Sequence, residues 1–285
     1  MEKIAILTDS NSGLSREEAE KQGIHILPMT FSVGGQEHKE GITLTDREFF
    51  DSMKKGVPVS TSQPSIADLT DIWEELLKDY DRIIHIPMAK VLSGGYATAV
   101  TFSEEYGGRG LVVDGNRISV TQAALAQYAR KLADAGMAAS EIKEKLEATC
   151  MEAEIYITVE SLEYLKRGGR ISGAAAMAGE LLHVKPVLKL HGGAIEAYGK
   201  TRGTKKAKKM IEEAIAKDYE RLAGKHGAEN VRIFVGHADA REEVMEWAEK
   251  WKEMYPDHNI EIARLPLSIC CHVGPGTIGA AVCVN

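Results

Sequence analysis

The sequence predicts an α/β protein of two domains: an N-terminal parallel doubly wound α/β/α sheet over residues 1–153 and a C-terminal two-layer α+β domain with a mixed sheet over residues 154–285. Three observations predict this class. The chain of 285 residues is longer than a usual single domain. Through its first half, short β-branched segments alternate with amphipathic helical segments. From Ile155 onward, that alternation gives way to glycine-centred hairpins and longer helices.

The N-terminal half is typical of successive strand–helix units. Compact apolar segments predict parallel strands at 4–8, 24–28, 83–86 and 111–114. Between 30 and 38, alternation around Gly34 and Gly35 predicts a β-hairpin. Capping-box patterns predict helices that begin near Ser15 and Thr45. Further helices are expected from Ser65, at 118–135 and at 140–153, so helices cover both faces of a parallel sheet.

The C-terminal half has a different pattern. We expect strands at 155–159, 231–236 and 260–263, and an antiparallel hairpin at 184–199 that turns at Gly192-Gly193. Helices are expected at 174–182, 204–223 and 240–255. A glycine-rich loop from His272 to Gly279 precedes an apolar last strand. This combination favours a mixed sheet.

Composition excludes several classes of protein. Hydrophobic residues make up 44% and charged residues 27% of the chain, which is ordinary for a globular protein. A net charge of −7 argues against nucleic acid as a general partner. No apolar run reaches about 18 residues, so we expect no stable membrane insertion and a cytoplasmic protein. The four cysteines lack metal-ligand spacing and are expected to be reduced and buried, with no metal site.

Two polar segments precede predicted helices. Ser93 and Gly94 follow an apolar strand, and Thr61 and Ser62 lie in the segment TSQPS, which we interpret as a loop. The first N–H groups of a helix lack intrahelical partners and attract anions, so hydroxyls and glycines at that position fit an anion site. The same residues also fit a plain helix cap and turn.

Asp9 ends the first strand, where open α/β sheets place ligands. An alternative function is therefore a small-molecule phosphotransferase or hydrolase that uses Asp9. The segment TDSNSG lacks the second aspartate of a D-x-D phosphotransfer loop, which favours a structural turn carboxylate.

No segment supplies a full catalytic set: nucleotide-binding glycine loops, the H-E-x-x-H motif and the G-x-S-x-G elbow are all missing from the sequence. We therefore expect no catalytic residues, and a binding protein rather than an enzyme. Cys271 next to His272 suggests a nucleophile and base, but neighbours in a strand point to opposite faces.

Five segments, taken together, resemble the DegV family of bacterial fatty-acid-binding proteins. They occur in family order along the whole chain: TSQPS, SGGYATA, LEYLKRGGRIS, VKPVL with KTRGTKKA, and HVGPGTIG. The resemblance implies two domains that enclose one long-chain fatty acid, such as palmitate, with no cofactor. It also implies a partner, a fatty-acid kinase that converts the acid to an acyl phosphate for phospholipid synthesis.

The resemblance also implies roles for individual residues. The fatty-acid carboxylate would be bound by Thr61 or Ser62, by Ser93 with the backbone of Gly94, and by His272. Arg170 would lie near the exposed carboxylate end, where the kinase docks. The chain departs from the family pattern at Gly95, where Thr is more usual, and at 119–123, which lacks the usual Ser-x-Gly-x-Gly.

Overall fold

The computed structural model describes residues 2–174 and 184–284. In chain order, the strands are β1 (Ile4–Asp9), β2 (Ile24–Leu27), β3 (Thr30–Val33), β4 (Gln36–Lys39), β5 (Val59–Ser62), β6 (Arg82–Ile86), β7 (Gly110–Val112), β8 (Ala153–Thr158), β9 (Lys185–His191), β10 (Ala194–Thr201), β11 (Val231–His237), β12 (Ile260–Arg264) and β13 (Ile278–Val284). The α-helices are α1 (Arg16–Lys21), α2 (Asp46–Lys54), α3 (Ile66–Asp79), α4 (Gly95–Ser103), α5 (Val120–Asp134), α6 (Ala139–Ala148), α7 (Glu163–Arg167), α8 (Thr204–His226), α9 (Arg241–Met254) and α10 (Leu267–Val273).

The first sheet is parallel and has the order β2-β1-β6-β7. Successive side chains of β1 point to opposite faces, so Ile6 packs with α5 and α6 while Leu7 packs with α3 and α4. Helices therefore cover both faces, which confirms the predicted doubly wound arrangement. Both predicted capping boxes are present, with Ser15 and Thr45 each accepting the N–H of the glutamate three residues later.

The segment from Thr30 to Ser62 does not join the parallel sheet. Instead β4, β3 and β5 form a three-stranded antiparallel sheet, in which Phe31 lies opposite Thr61 and Thr30 opposite Ser62. The interpretation of Thr61 and Ser62 as loop residues is therefore wrong. Their Ser/Thr-rich composition suits turns, but backbone pairing to β3 makes this segment an edge strand.

The second sheet is mixed and has the order β10-β9-β8-β13-β11-β12. The predicted hairpin at Gly192-Gly193 is confirmed, with His191 opposite Ala194. Tyr156 of β8 packs beneath α8 and α9, whereas the next residue, Ile157, faces a second apolar cluster. This mixed sheet is the architecture that the sequence predicted.

The small antiparallel sheet and α2 pack onto the mixed sheet, because Phe31 and Phe49 share a core with Ile157 and Leu188. The chain enters the mixed sheet at Ala153, where β8 begins. Helix α6 accordingly ends at Ala148, earlier than expected. The division of the chain into domains at 153/154 stays a prediction, and residues on either side of it pack together.

Helix α10 was not expected. His272 lies in its last turn rather than in a glycine-rich loop, and Cys271 and His272 are helical rather than extended. The carboxylate of Glu40, at the end of β4, accepts hydrogen bonds from the backbone N–H of Leu267 and from the Ser268 hydroxyl. A residue more than 200 positions away thus caps this helix, and no local sequence signal announces such a cap.

Candidate binding site for an anionic head group

A cavity of about 270 Å³ lies between the parallel sheet, the small antiparallel sheet and the mixed sheet. Apolar side chains form most of its wall, among them Met29, Met88, Ile118, Ile157, Leu165, Leu190 and Val273. Polar groups also line it, namely Asn11, Thr61, Ser62, Gln63, Ser93, Gly94, Arg170, Ser268 and His272. The structure therefore brings every residue predicted to bind a carboxylate to one cavity.

Thr61 and His272 form a hydrogen bond within this cavity. The Oγ1 atom of Thr61, on β5, lies 2.8 Å from Nε2 of His272, on α10. Burial of the ring, and then the nearby positive charge of Arg170, lower the pKa of His272 to about 4. The imidazole is therefore neutral at pH 7 in the free protein.

The Ser93 loop approaches the same cavity from β6. Ser93 Oγ accepts the N–H of Gly95 at 3.1 Å, so this hydroxyl sits at the start of α4 as predicted. A Cβ at Gly94 would lie 2.8 Å from Oε1 of Gln63, a contact that the exposed Gln63 side chain can relieve by moving. Ser93 and Gly94 both line the cavity.

Arg170 does not project freely from the surface, as a docking residue would. It is half-buried, and its Nε and Nη2 atoms donate to the carbonyl of Leu92 at 3.3 and 3.0 Å. Its Nη1 atom donates to the carbonyl of Gly168 at 2.5 Å. The guanidinium therefore lines the cavity and fixes the residue that precedes Ser93.

An outer cleft of about 470 Å³ adjoins this cavity. Leu92, Ser93, Gly94, Arg170 and Ile195 line both spaces. The cavity and the outer cleft therefore lie side by side at Ser93, Gly94 and Arg170.

Asp9 does not line the cavity. Its buried carboxylate accepts hydrogen bonds from the N–H of Met88 at 2.7 Å, the N–H of Asn11 at 3.0 Å and Nε2 of Gln122 at 3.0 Å. Burial raises the pKa of the Asp9 carboxyl, against the opposing effect of these donors. This geometry is that of a turn carboxylate that ties β1 to the segment after β6.

Sequence reasoning missed Asn11, Gln63 and Ser268 as cavity residues. Gln63 lies within the motif TSQPS, and Asn11 follows the strand end at Asp9, so their positions held a usable signal. No local sequence signal marks Ser268 as a cavity residue, because only the packing of α10 brings it to the cavity.

The predicted helix at 174–182 lies almost wholly outside the described residues. Ala175, Ala176 and Ala178 belong to the undescribed stretch 175–183, whereas Ala174 is buried against the mixed sheet. Across residues 2–174 and 184–284, no three His, Cys, Asp or Glu side chains are arranged to hold a metal ion. The helices of these same stretches include none with the length and apolarity needed to cross a bilayer.

Comparison with known proteins identifies relatives over the full length of the chain. A DegV domain-containing protein of Deinococcus radiodurans is 31% identical over 283 residues, covering 98% of each chain. A DegV domain-containing protein of Staphylococcus aureus strain N315 is 30% identical over 282 residues, covering 99% of each chain.

Solved structures share the fold. A structure described as fatty acid binding of a DegV family protein from Thermus thermophilus superimposes with a TM-score of 0.89 at 28% identity, covering 99% of this chain and 100% of that one. DegV from Bacillus subtilis, described as a fatty acid binding protein, gives 0.88 at 29% identity with both chains fully covered. A stearic acid-binding protein from Eubacterium ventriosum gives 0.88 at 27% identity, covering 100% of this chain and 98% of that one. The sequence model described as "Uncharacterised protein, DegV family" matches residues 3–285, and the chain therefore belongs to the DegV family.

Proposed function

We propose that this protein binds one long-chain fatty acid in the 270 Å³ cavity and presents its carboxylate to a fatty-acid kinase. The observation that carries the proposal is the composition of the cavity, which combines mostly apolar walls with the hydroxyls of Thr61, Ser62, Ser93 and Ser268, the His272 imidazole and the Arg170 guanidinium. The fatty-acid binding described for the Thermus and Bacillus relatives supports the same ligand class.

The apolar wall accounts for affinity. Burying an acyl chain of about 14 methylenes at ~0.8 kcal/mol each favours binding by ~11 kcal/mol before the costs of association. Leucine, isoleucine and methionine side chains from the mixed sheet, from α7 and α10 and from the segments that follow β2 and β6 supply the surface for that burial. Such a surface does not by itself fix the orientation of the chain.

The polar cluster would fix the orientation, because a carboxylate buried without hydrogen bonds costs several kcal/mol. We assign this role to Thr61 or Ser62, to Ser93 with the backbone of Gly94, and to His272. A neutral His272 that donates its Nε2 proton to Thr61 leaves the Thr61 hydroxyl free to donate to a carboxylate oxygen. An arriving carboxylate would in turn favour a second proton on the imidazole.

The outer cleft supports presentation to a partner enzyme. A carboxylate held at Ser93 would lie at the boundary between the inner cavity and this cleft, which a second protein can reach. In this proposal Arg170 stands at that boundary with a charge suited to an anionic group, and the apolar tail stays enclosed.

Organic extraction of protein purified from bacteria, followed by mass spectrometry, tests the ligand. We expect about one fatty acid per chain. Protein that folds without lipid and takes up no added fatty acid would refute the proposal. Incubation of the loaded protein with a fatty-acid kinase and ATP then tests presentation, and acyl phosphate is the expected product.

A further inference from the structure

The two most exposed large apolar side chains in the described part of the chain both lie close to the proposed carboxylate site. Ile66 is 62% exposed and Val91 is 58% exposed. Single apolar residues at a surface are ordinary, but several of them together beside a ligand site mark an interaction surface. The positions of Ile66 and Val91 relative to the outer cleft therefore bear on how the site is used.

Ile66 is placed by the packing of two helix starts. It is the first residue of α3, and Gln63 and Pro64 lead into that helix. A Cβ atom at Gly94 would lie 2.8 Å from Oε1 of Gln63, and one at Gly95 would lie 4.0 Å from Cδ of Pro64. The start of α3 therefore lies against the start of α4, which brings Ile66 to the loop that carries Gly94.

Val91 lines the outer cleft, and the adjoining hairpin turn brings Met151 close to it. A Cβ atom at Gly193 would lie 2.9 Å from Cγ2 of Val91, and one at Gly192 would lie 2.8 Å from Cε of Met151. Met151 is itself 43% exposed, so a third exposed apolar side chain belongs to this surface. We call Ile66, Val91 and Met151 the apolar rim of the cleft.

Positively charged side chains stand on the neighbouring helix α7. Lys166 and Arg167 lie in its last turn, are exposed, and form no ion pair with a residue in 2–174 or 184–284. Gly169 and Arg170, which follow in the chain, line the outer cleft. The surface around the cleft thus combines apolar and cationic groups, and a protein that offers apolar and acidic side chains would complement it.

We infer that the apolar rim is the surface on which the fatty-acid kinase docks. The inference rests on the proposed function and identifies the contact surface for that partner. The kinase must bring the γ-phosphorus of ATP within about 3.5 Å of a carboxylate oxygen, to which the phosphoryl group passes as ADP leaves.

The size of a protein interface then decides which residues the kinase covers. A specific interface buries about 800 Å² of each partner, which is a patch of about 16 Å radius. Val91 is two residues from Ser93, so a patch of this size over the carboxylate includes it. The start of α3 packs beside the same loop, so the patch includes Ile66 as well. Apolar side chains near the centre of an interface contribute most of its binding energy.

Steady-state kinetics of the kinase, with the loaded full-length protein as substrate, test this inference. Ile66→Gln and Val91→Gln, singly and together, place a neutral polar side chain at exposed positions and add no charge near the carboxylate. We expect KM for the loaded protein to rise about fivefold in each single variant and further in the double variant, at an unchanged kcat. Met254→Gln is the matched control, because Met254 is exposed on α9, which packs on the opposite face of the mixed sheet from the cavity.

The affinity for stearate, measured on the same preparations, should not change, since neither Ile66 nor Val91 lines the cavity. An unchanged KM in the double variant would overturn the inference and leave the proposed function standing. A double variant that keeps its KM but no longer binds vesicles of phosphatidylglycerol and phosphatidylcholine would assign the rim to a bilayer, and would overturn the inference too. If the parent binds stearate but yields no acyl phosphate, presentation to a kinase fails, and this inference fails with it.

Discussion

Gly168 lies directly against the imidazole of His272, so closely that a Cβ atom at position 168 would lie 2.0 Å from Nδ1. The backbone of Gly168 has ordinary dihedral angles, with φ −76° and ψ −3°, so glycine is needed here for space rather than for conformation. This contact, together with the hydrogen bond to Thr61, determines where the imidazole sits.

Gly168→Ala should therefore displace the His272 ring and weaken fatty-acid binding. Loss of the hydrogen bond between Thr61 and His272 corresponds to about 1 kcal/mol, or roughly fivefold in Kd. Titration with palmitate measures the change. Gly224→Ala is the matched control, because a methyl group at that exposed position of α8 meets no atom within 4 Å. Equal affinity in both variants would show that the ring position does not matter for binding.

Ser93→Ala should weaken binding of the acid by about 1.5 to 3 kcal/mol, because it removes a donor to a buried charge. His272→Ala should have a comparable effect if its ring contacts the head group. Parallel titration with a fatty alcohol, which keeps the tail but lacks the charge, separates head-group effects from tail effects. Variants that bind the acid as tightly as the parent would refute the assignment of these residues to the carboxylate.

The low pKa of His272 predicts how stability depends on pH. Between its ordinary pKa near 6.5 and the folded-state value of about 4, the unfolded chain holds a proton that the folded protein does not. The contribution of His272 to the free energy of unfolding is fully present above pH 6.5 and is lost as the pH falls from 6.5 toward 4. Urea unfolding across this range should show a shallower pH dependence for His272→Gln. If the stability of His272→Gln changed with pH as steeply as that of the parent, a group other than His272 would account for the pH dependence.

Ligand binding should reverse the shift at His272, because a carboxylate beside the ring favours the imidazolium form. Imidazole resonances followed by NMR should titrate at a higher pH in the loaded protein than in the free protein. His85 provides an internal reference, since its fully buried ring, with a pKa of about 3, lies outside the 270 Å³ cavity. An unchanged His272 titration would mean that the carboxylate does not contact the ring.

Arg170→Ala should slow acyl-phosphate formation more than it weakens fatty-acid binding. Some loss of affinity is expected, because the guanidinium also holds the carbonyl of Leu92 beside Ser93. The measurement pairs a lipid titration with a kinase assay at saturating lipid. Arg170→Lys keeps the charge but not the forked geometry, so it separates the two contributions. Equal losses in both assays would confine Arg170 to the binding step.

Asp9→Asn distinguishes the structural role of this residue from the alternative role in a phosphotransferase or hydrolase. Replacing the carboxylate weakens its three hydrogen bonds, so we expect the free energy of unfolding to fall by about 2 kcal/mol. Bound fatty acid per folded chain should stay the same, as mass spectrometry can establish. Turnover of a phosphate or ester substrate by the parent, lost in the variant, would favour the alternative.

The sequence predicted most elements of the fold because their signals are local. The strand before Ser93, the capping boxes at Ser15 and Thr45 and the hairpin at Gly192 each depend on neighbouring residues. Pairing between distant segments was not predictable in the same way. Thr61 became part of a strand because β3 lies beside it, and α10 formed where Glu40 caps it.

The candidate site shows the same division. Thr61, Ser62, Ser93, Gly94, Arg170 and His272 were identified from short motifs, and the structure places all of them around one cavity. The half-burial of Arg170 depends on its contact with Leu92, 78 residues earlier in the chain. Asn11 and Ser268 meet only in the folded protein, because 257 positions separate them.

The hydrogen bond between Thr61 and His272 spans 211 positions of the chain and joins an edge strand to a short helix. Edge strands and short helices are among the first parts of a protein to open in local fluctuations. The rate at which a lipid exchanges would then follow the frequency of such openings rather than global unfolding. Amide hydrogen exchange in β5 and α10 should therefore slow on loading, and to a greater extent than in the core strands β1 and β13.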